Sequence, residues 1–288
     1  MTEPTDAPDT FRRTFLALAA AGPAAFTLAS TASAQTASDA DPATRPGTGR
    51  AAIVTGSSRG IGAATARRLA REGYAVTVNC LVNTDLAAQV VAEIEAEGGR
   101  AIWLQADVAD PEAVRALFAA NEEAFGGVDV VVSNAGIFNS GPFAEMTDAA
   151  FDRMIATNVK GGFNVLREAA RHVRDGGRII TLSSGIVRQP PPGGAAYAGT
   201  KSDLQIYARV LAKEVAGRNI RVNAVAPGAV DTQLLWQHGE ELLDGIPEAT
   251  PLRRLGEPED IANVIAVLCS ENGGWINGET VYANGGLN

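Results

Sequence analysis

From Arg50 onward, short apolar runs alternate with stretches of helical period, and no other property of the chain restricts its fold as much. Residues 51–55, 75–79, 101–105, 128–132, 178–182 and 220–225 are apolar runs too short for helices, with 280–283 a weaker last one. Residues 61–72 and 86–97 have helical patterning, and Pro111 opens another helix beside Asp110, a residue type that caps helix N-termini. A strand–helix–strand series needs crossover connections, so the strands run parallel and both faces of the sheet are covered. The expectation is a single α/β domain, a doubly wound parallel sheet with ligands beyond the carboxyl ends of its strands. No internal repeat is visible.

Composition narrows what such a domain can do. At 46% hydrophobic and 20% charged residues the chain has ample material for a core and is not a disordered protein. Its 24 Lys and Arg against 33 Asp and Glu give a formal charge of −9, which argues against nucleic acid or anionic lipid as partner. The 31 glycines predict many tight turns and close backbone approaches. Two cysteines, Cys80 and Cys269, and two histidines, His172 and His238, exclude a disulfide framework and a His-rich metal centre. No metal site is expected. The cysteines lie in apolar segments and read as buried thiols, and His172 reads as a capping or surface residue.

The first segment reads as a targeting signal and not as part of the folded domain. Arg12 and Arg13 precede an apolar stretch over 17–29, which ends near Ala32-Ser33-Ala34, a small-residue sequence of signal-peptidase type. In outline this is a twin-arginine export signal over 1–34, followed by a polar linker over 35–49 and the folded domain over 50–288. The apolar stretch is shorter than a spanning helix, so no membrane association beyond export is expected. The expected location is periplasmic or otherwise exported, with a cytoplasmic protein as the alternative.

The first strand runs into Thr55-Gly56-Ser57-Ser58-Arg59-Gly60-Ile61-Gly62, three glycines where a strand becomes a helix N-terminus. Backbone there can approach a pyrophosphate closely, and free N–H groups with the helix dipole favour its charge. This marks a Rossmann-type nucleotide-binding sheet. The spacing G-x-x-x-G-x-G departs from the dinucleotide fingerprint G-x-G-x-x-G.

With Asn134-Ala135-Gly136, Asn158, Ser184 and the Tyr197-x-x-x-Lys201 pair following in order, the chain from about Arg50 closely resembles the short-chain dehydrogenase/reductase family. The resemblance implies catalytic roles for Asn158, Ser184, Tyr197 and Lys201. It implies cofactor contacts from Gly56, Ser58, Arg59, Gly60, Ile61 and Gly62 in the turn, from Asn79, and from Asp107 and Val108 after the third strand. Asn134, Ala135 and Gly136, Pro227 and Gly228 after the sixth strand, Val230, Thr232, and Tyr197 and Lys201 themselves complete that set. In the family the Asn holds a water that relays protons from the Lys, and the Lys binds the nicotinamide ribose.

These residue types suit hydride transfer to or from a carbonyl. A phenol is a weak acid, and an ammonium nearby is expected to favour the phenolate and lower its pKa. Tyr197 and Lys201 are four apart, on one face of a helix. Tyr197 then exchanges a proton with the carbonyl or alcohol oxygen, Ser184 holds that oxygen, and the nicotinamide carries the hydride. The stretch after the second strand, Asn79-Cys80-Leu81-Val82-Asn83, has no carboxylate to hold a ribose 2′-hydroxyl, whereas Arg59 can pair with a 2′-phosphate. NADP is therefore favoured over NAD.

The substrate is expected to be a small carbonyl or alcohol with apolar parts. Residues 232–255, with Leu234, Leu235, Trp236, Leu242, Leu243 and Ile246, lie where family members carry a mobile lid, with packed core helices as the alternative. Residues 188–194, rich in proline, form a stiff second wall. Similarity is greatest to the 3-oxoacyl-carrier-protein reductase branch, whose members grip an acidic carrier with two arginines; here Arg218 matches one position, but Asp175, beside Arg174, occupies the other. Three further readings are an actual 3-oxoacyl-carrier-protein reductase, a non-catalytic nucleotide-binding regulator on the same fold, and a sugar-nucleotide epimerase, for which the chain is too short. Apolar residues over 163–170 and 204–216 fit the family's assembly into homotetramers or homodimers.

Overall fold

The computed structural model describes residues 45–237 and 245–287, so the proposed signal, most of the linker and His238, Leu242 and Leu243 lie outside the described residues. Seven strands form one parallel sheet in the order β3-β2-β1-β4-β5-β6-β7. They are β1 (Ala51–Val54), β2 (Ala75–Cys80), β3 (Arg100–Gln105), β4 (Val128–Ser133), β5 (Val173–Leu182), β6 (Arg221–Pro227) and β7 (Thr280–Ala283). The larger helices are α1 (Gly60–Arg71), α2 (Thr84–Ala96), α3 (Pro111–Phe125), α4 (Asp148–Met154), α5 (Gly161–His172) and α6 (Ala195–Glu214). Two short ones, α7 (Gln233–Trp236) and α8 (Ile246–Ala249), precede α9 (Pro258–Cys269).

Alternation along the strands divides the core in two. Val54, Val130, Val132, Ile180 and Val225 meet Leu69 of α1, Ile94 of α2 and Ile265 of α9. Their neighbours Ile53, Val131, Ile179 and Val222 meet Leu117 of α3, Val165 of α5 and Leu211 of α6. Helices therefore cover both faces, as a parallel sheet requires. The strand order reverses direction at β1 and β4, and the crevice at that switch point, beyond the carboxyl ends, is where such a sheet receives a ligand.

Local chemistry sets the boundaries. Asp110 caps α3, its carboxylate accepting from the Glu112 N–H at 2.9 Å, with Pro111 in the first turn. β5 begins five residues before the apolar run predicted for it, and its register with β4 shifts between Val128 and Val130, next to Gly176 at φ +80°. The end of the predicted linker is folded: Gly47 donates to the Glu72 carbonyl at 2.8 Å, and a Cβ there would meet the Tyr74 ring at 2.3–2.6 Å. Cys80 and Cys269 are buried free thiols, and burial pushes Cys269 up to about 12. Among the described residues no helix is long and apolar enough to cross a membrane, and no cluster of potential metal ligands occurs.

Candidate active site

The turn between β1 and α1 is shaped by its glycines. Gly56 and Gly60 have φ of +62° and +54°, in the left-handed region that a side chain disfavours. A Cβ on Gly62 would lie 2.4 Å from the Gly56 carbonyl and 2.6 Å from Asn134 Nδ2, so only glycine lets α1 start this close to the loop. Arg59, the N-cap residue of α1, has extended backbone and makes no side-chain cap bond, which leaves the first N–H groups of the helix to an anion. Buried Ser58 sits within the turn and Ile61 at the edge of the cleft.

Asparagines brace this turn from beneath. Asn134 Nδ2 donates to the Thr55 and Gly56 carbonyls at 2.9 and 3.0 Å, while the Asn134 and Ala135 N–H groups donate to Thr55 Oγ1. Asn79 Oδ1 accepts from the Gly56 N–H at 3.1 Å, and its Nδ2 donates to the Ala106 carbonyl at 3.0 Å. Asn79, expected to contact a cofactor, is fully buried and braces the glycine turn from behind. Asp107 closes the turn after β3 by accepting from the Ala109 N–H, and Val108 is buried against Gly161. Beyond β2, Leu81 and Val82 are exposed, and the first carboxylate, Asp85, falls inside α2.

The residues expected to handle protons converge at the ends of β4 and β5. Ser184 follows β5, and its Oγ is hydrogen-bonded to the Tyr197 hydroxyl. Tyr197 and Lys201 lie one turn apart on α6, the Lys201 Nζ 5.7 Å from the centre of the Tyr197 ring and donating to the Leu182 carbonyl at 2.8 Å. Ser183 Oγ donates to the Lys201 carbonyl and accepts from Gln205, tying α6 to the strand end. Asn158 is fully buried in a π turn, Ile155–Lys160, between α4 and α5. Its Oδ1 accepts from the Ile137 N–H at 2.8 Å, and its Nδ2 donates to the Ile137 carbonyl and to Thr200 Oγ1 at 2.9 and 3.0 Å. Such a π bulge re-aims a side chain within a continuous helix. A Cβ on Gly136 would sit 3.2 Å from Lys201 Nζ and 3.3 Å from Asn158 Oδ1, so that glycine lets all three approach.

Electrostatics here correct one expectation. Burial raises the Tyr197 pKa; the Ser184 hydrogen bond pulls it the other way and is the weaker effect. Lys201 does not set the sign: its ammonium stands over the ring and points to a carbonyl, and burial draws its own pKa down to about 8. The phenol is thus held protonated rather than poised as phenolate.

A cleft of about 890 Å³ opens from these groups. Asn134, Gly136, Pro227, Gly228, Val230 and Thr232 line it together with Ser184, Tyr197 and Lys201. Its apolar walls are Pro191 and Pro192 on one side and Leu234, Leu235 and Ile246 on the other, so both predicted walls are present. The Gly141 N–H donates to the Gly193 carbonyl at 3.0 Å and joins the proline wall to the loop after β4. Phe138 of that loop meets Tyr197 edge to face at 4.7 Å, a contact that sequence reasoning missed because only its place just after Asn134-Ala135-Gly136 points to it. Arg188 faces away, stacked on Tyr282.

The groove fits a nicotinamide dinucleotide. The glycine turn is a cradle that a Cβ would fill, the uncapped helix start accepts a pyrophosphate, and an ammonium reaches the far end beside the Tyr197 phenol. The sequence profile of the enoyl-(acyl carrier protein) reductase family matches residues 56–288. Versicolorin reductase of Emericella nidulans is 41% identical over 251 residues, covering 83% of this chain and 95% of that protein. A 3-oxoacyl-(acyl-carrier-protein) reductase of Staphylococcus epidermidis is 39% identical over 240 residues, 83% of this chain and 98% of its own. A short-chain dehydrogenase from Burkholderia cenocepacia, solved in complex with NADP, superposes with a TM-score of 0.81 at 39% identity, covering 85% of this chain and 99% of its own. The chain belongs to the short-chain dehydrogenase/reductase family of NAD(P)-dependent oxidoreductases.

Proposed function

We propose that the protein is an NADP-preferring oxidoreductase that interconverts a carbonyl and an alcohol, with Tyr197 as the acid–base group. The observation that carries this is the convergence of the Ser184 and Tyr197 hydroxyls and the Lys201 ammonium on one apolar cleft beyond the strand ends. The turn from Gly56 to Gly62 holds the pyrophosphate, and Arg59 pairs with the 2′-phosphate where β2 offers no opposing carboxylate. The NADP complex of the Burkholderia relative supports the same choice.

When bound, the nicotinamide supplies the hydride in reduction and accepts it in oxidation. The Ser184 hydroxyl and the Tyr197 hydroxyl hold the substrate oxygen between them. Burial keeps Tyr197 protonated at neutral pH, the form a general acid needs, and its proton passes to the oxygen as negative charge develops there. Lys201, still mostly protonated at pH 7, stabilises the phenolate left behind. Asn158, by fixing the Ile137 backbone and Thr200, holds the floor under this pair.

A genuine carrier-protein reductase is the less favoured reading. Arg218 donates to Asp175 at 2.9 Å and to the Ala170 and Val173 carbonyls, and Arg174 pairs with Asp129 at 3.3 Å, so neither presents a free guanidinium to an acidic carrier. Arg12, Arg13 and the apolar stretch after them support export through the twin-arginine route, after folding with nucleotide, and a periplasmic location. Cell fractionation that finds the protein only in the cytoplasm overturns that part. Exposed apolar residues on α5 and α6 support a homotetramer or homodimer.

The test of the main reading is the oxidation of NADPH and NADH against ketones, aldehydes, and oxoacyl and enoyl thioesters, with wild type and Tyr197→Phe. Turnover of a carbonyl substrate is expected, with kcat falling about 10²- to 10⁴-fold in the variant and NADPH affinity unchanged. Equal turnover by the variant defeats the mechanism, and absence of turnover with every carbonyl in the panel favours the non-catalytic reading.

A further inference from the structure

Arg59 is the cation on which the preference for NADP rests, and its exposed guanidinium has one side-chain partner among the described residues. It donates to Oε1 of Gln233, the first residue of α7, far away in sequence. The backbone around this contact is fixed independently. A Cβ on Gly60, next to Arg59, would lie 3.3 Å from Thr232 Cγ2, so the residue before Gln233 rests on the glycine turn itself. Val230 pairs with Gly256 in an isolated bridge, the Leu235 N–H donates to the Thr232 carbonyl at 2.9 Å, and Trp236 Nε1 donates to Asp231 Oδ1 at 2.6 Å. The Gln233 side chain thus reaches Arg59 of the glycine turn from an anchored segment.

We infer that Gln233 is a positioning residue for recognition of the 2′-phosphate. A guanidinium has five N–H donors in a rigid fork. Gln233 takes one of them, and the others stay available to a phosphate while the contact biases the long, exposed side chain before the ligand arrives. The acceptor is a neutral amide, so it orients the cation without neutralising it. A carboxylate at 233 would hold Arg59 more tightly and repel the phosphate at the same time.

This inference rests on the NADP reading, and the experiment separates the two. The dissociation constants of NADPH and NADH are measured by fluorescence titration for wild type, Arg59→Ala, Gln233→Ala, Gln233→Glu and the Arg59→Ala/Gln233→Ala double variant. Gln233→Ala is expected to weaken NADPH about 3- to 10-fold, the scale of one modest hydrogen bond, and to leave NADH unchanged, which also serves as the control for folding. Gln233→Glu is expected to weaken NADPH further. The double variant is expected to match Arg59→Ala, because Gln233 acts only through Arg59. If Arg59→Ala lowers the preference for NADPH while Gln233→Ala leaves it within twofold of wild type, or weakens both nucleotides alike, the inference falls and the NADP reading stands. If Arg59→Ala itself leaves the preference unchanged, the role given to Arg59 falls, and that of Gln233 with it.

Discussion

Lys201 carries a structural burden beside the catalytic role proposed for it, because an ammonium that is 4% exposed has left most of its water for one carbonyl partner, the oxygen of Leu182. Burial draws its pKa from 10.5 to about 8, so the unfolded chain holds a proton that the folded one releases between those values. Below pH 8 both states are charged and folding carries the full desolvation cost. As pH rises from 8 toward 10.5 the folded state sheds its charge and the cost disappears. Lys201→Met never carries it, so its melting temperature is expected to exceed that of wild type by most at pH 7 and by progressively less toward pH 10. A gap that stays constant across this range, measured by scanning calorimetry, contradicts the assignment. Sequence reasoning found Tyr197 and Lys201 from their four-residue spacing and the family pattern. It got the sign of the Tyr197 pKa shift wrong, because neither the depth of burial nor the direction in which Nζ points is written in residue types. Phe138, the Ile137 backbone and Gln233 are invisible for a related reason: their contacts with Tyr197, Asn158 and Arg59 depend on position, in segments without a motif.

Secondary-structure elements were far more legible than contacts. The apolar runs located all seven strands, most of them to within a residue or two, because buried parallel strands need continuous apolar sequence. The exception, β5, starts in Val173-Arg174-Asp175-Gly176-Gly177, where polar and glycine residues hide a strand that pairs with β4 only through a shifted register. The π turn around Asn158 was likewise invisible, since helical period alone cannot show an added residue. By contrast the glycine turn was readable in detail, and it supports a strict expectation. At Gly62 a methyl group would press on the Gly56 carbonyl, Ser57 Cα and Asn134 Nδ2 together, none of which is the end of a flexible chain. Gly62→Ala is expected to lower stability by about 1–3 kcal/mol, the usual range for overpacking, and to weaken NADPH and NADH binding alike, because it displaces the pyrophosphate cradle rather than Arg59. Urea unfolding together with nucleotide titration checks this. Unaltered stability with unaltered affinity means the start of α1 is looser than described.

At the scale of the whole molecule, α6 carries both Tyr197 and Lys201 and an exposed apolar face, on which the proposed assembly rests. One side of the helix is bound into the domain by Leu204, Ala208 and Leu211 in the core, with Tyr197 and Lys201 at its amino-terminal end facing the cleft. The other side carries Ile206 and Val210, 51% and 48% exposed, one helical turn apart. Phe163 of α5, 48% exposed, extends this surface and lies 6.2 Å from the Tyr207 ring. Apolar residues so arranged on two adjacent helices form a patch that water covers poorly, and in the proposed assembly a second copy related by twofold symmetry would present the same patch in return. Covering it would also brace the back of the helix that carries the acid–base pair. Replacing Phe163, Ile206 and Val210 together by glutamate is therefore expected to reduce the molar mass seen by light scattering to that of a smaller assembly or a monomer. NADPH affinity should persist, since the glycine turn lies on the far side of β4, while turnover falls as the support of α6 is lost. A triple variant with the molar mass of wild type shows that this face is not the interface. A smaller species with full turnover shows instead that the helix is held in place by its own domain alone.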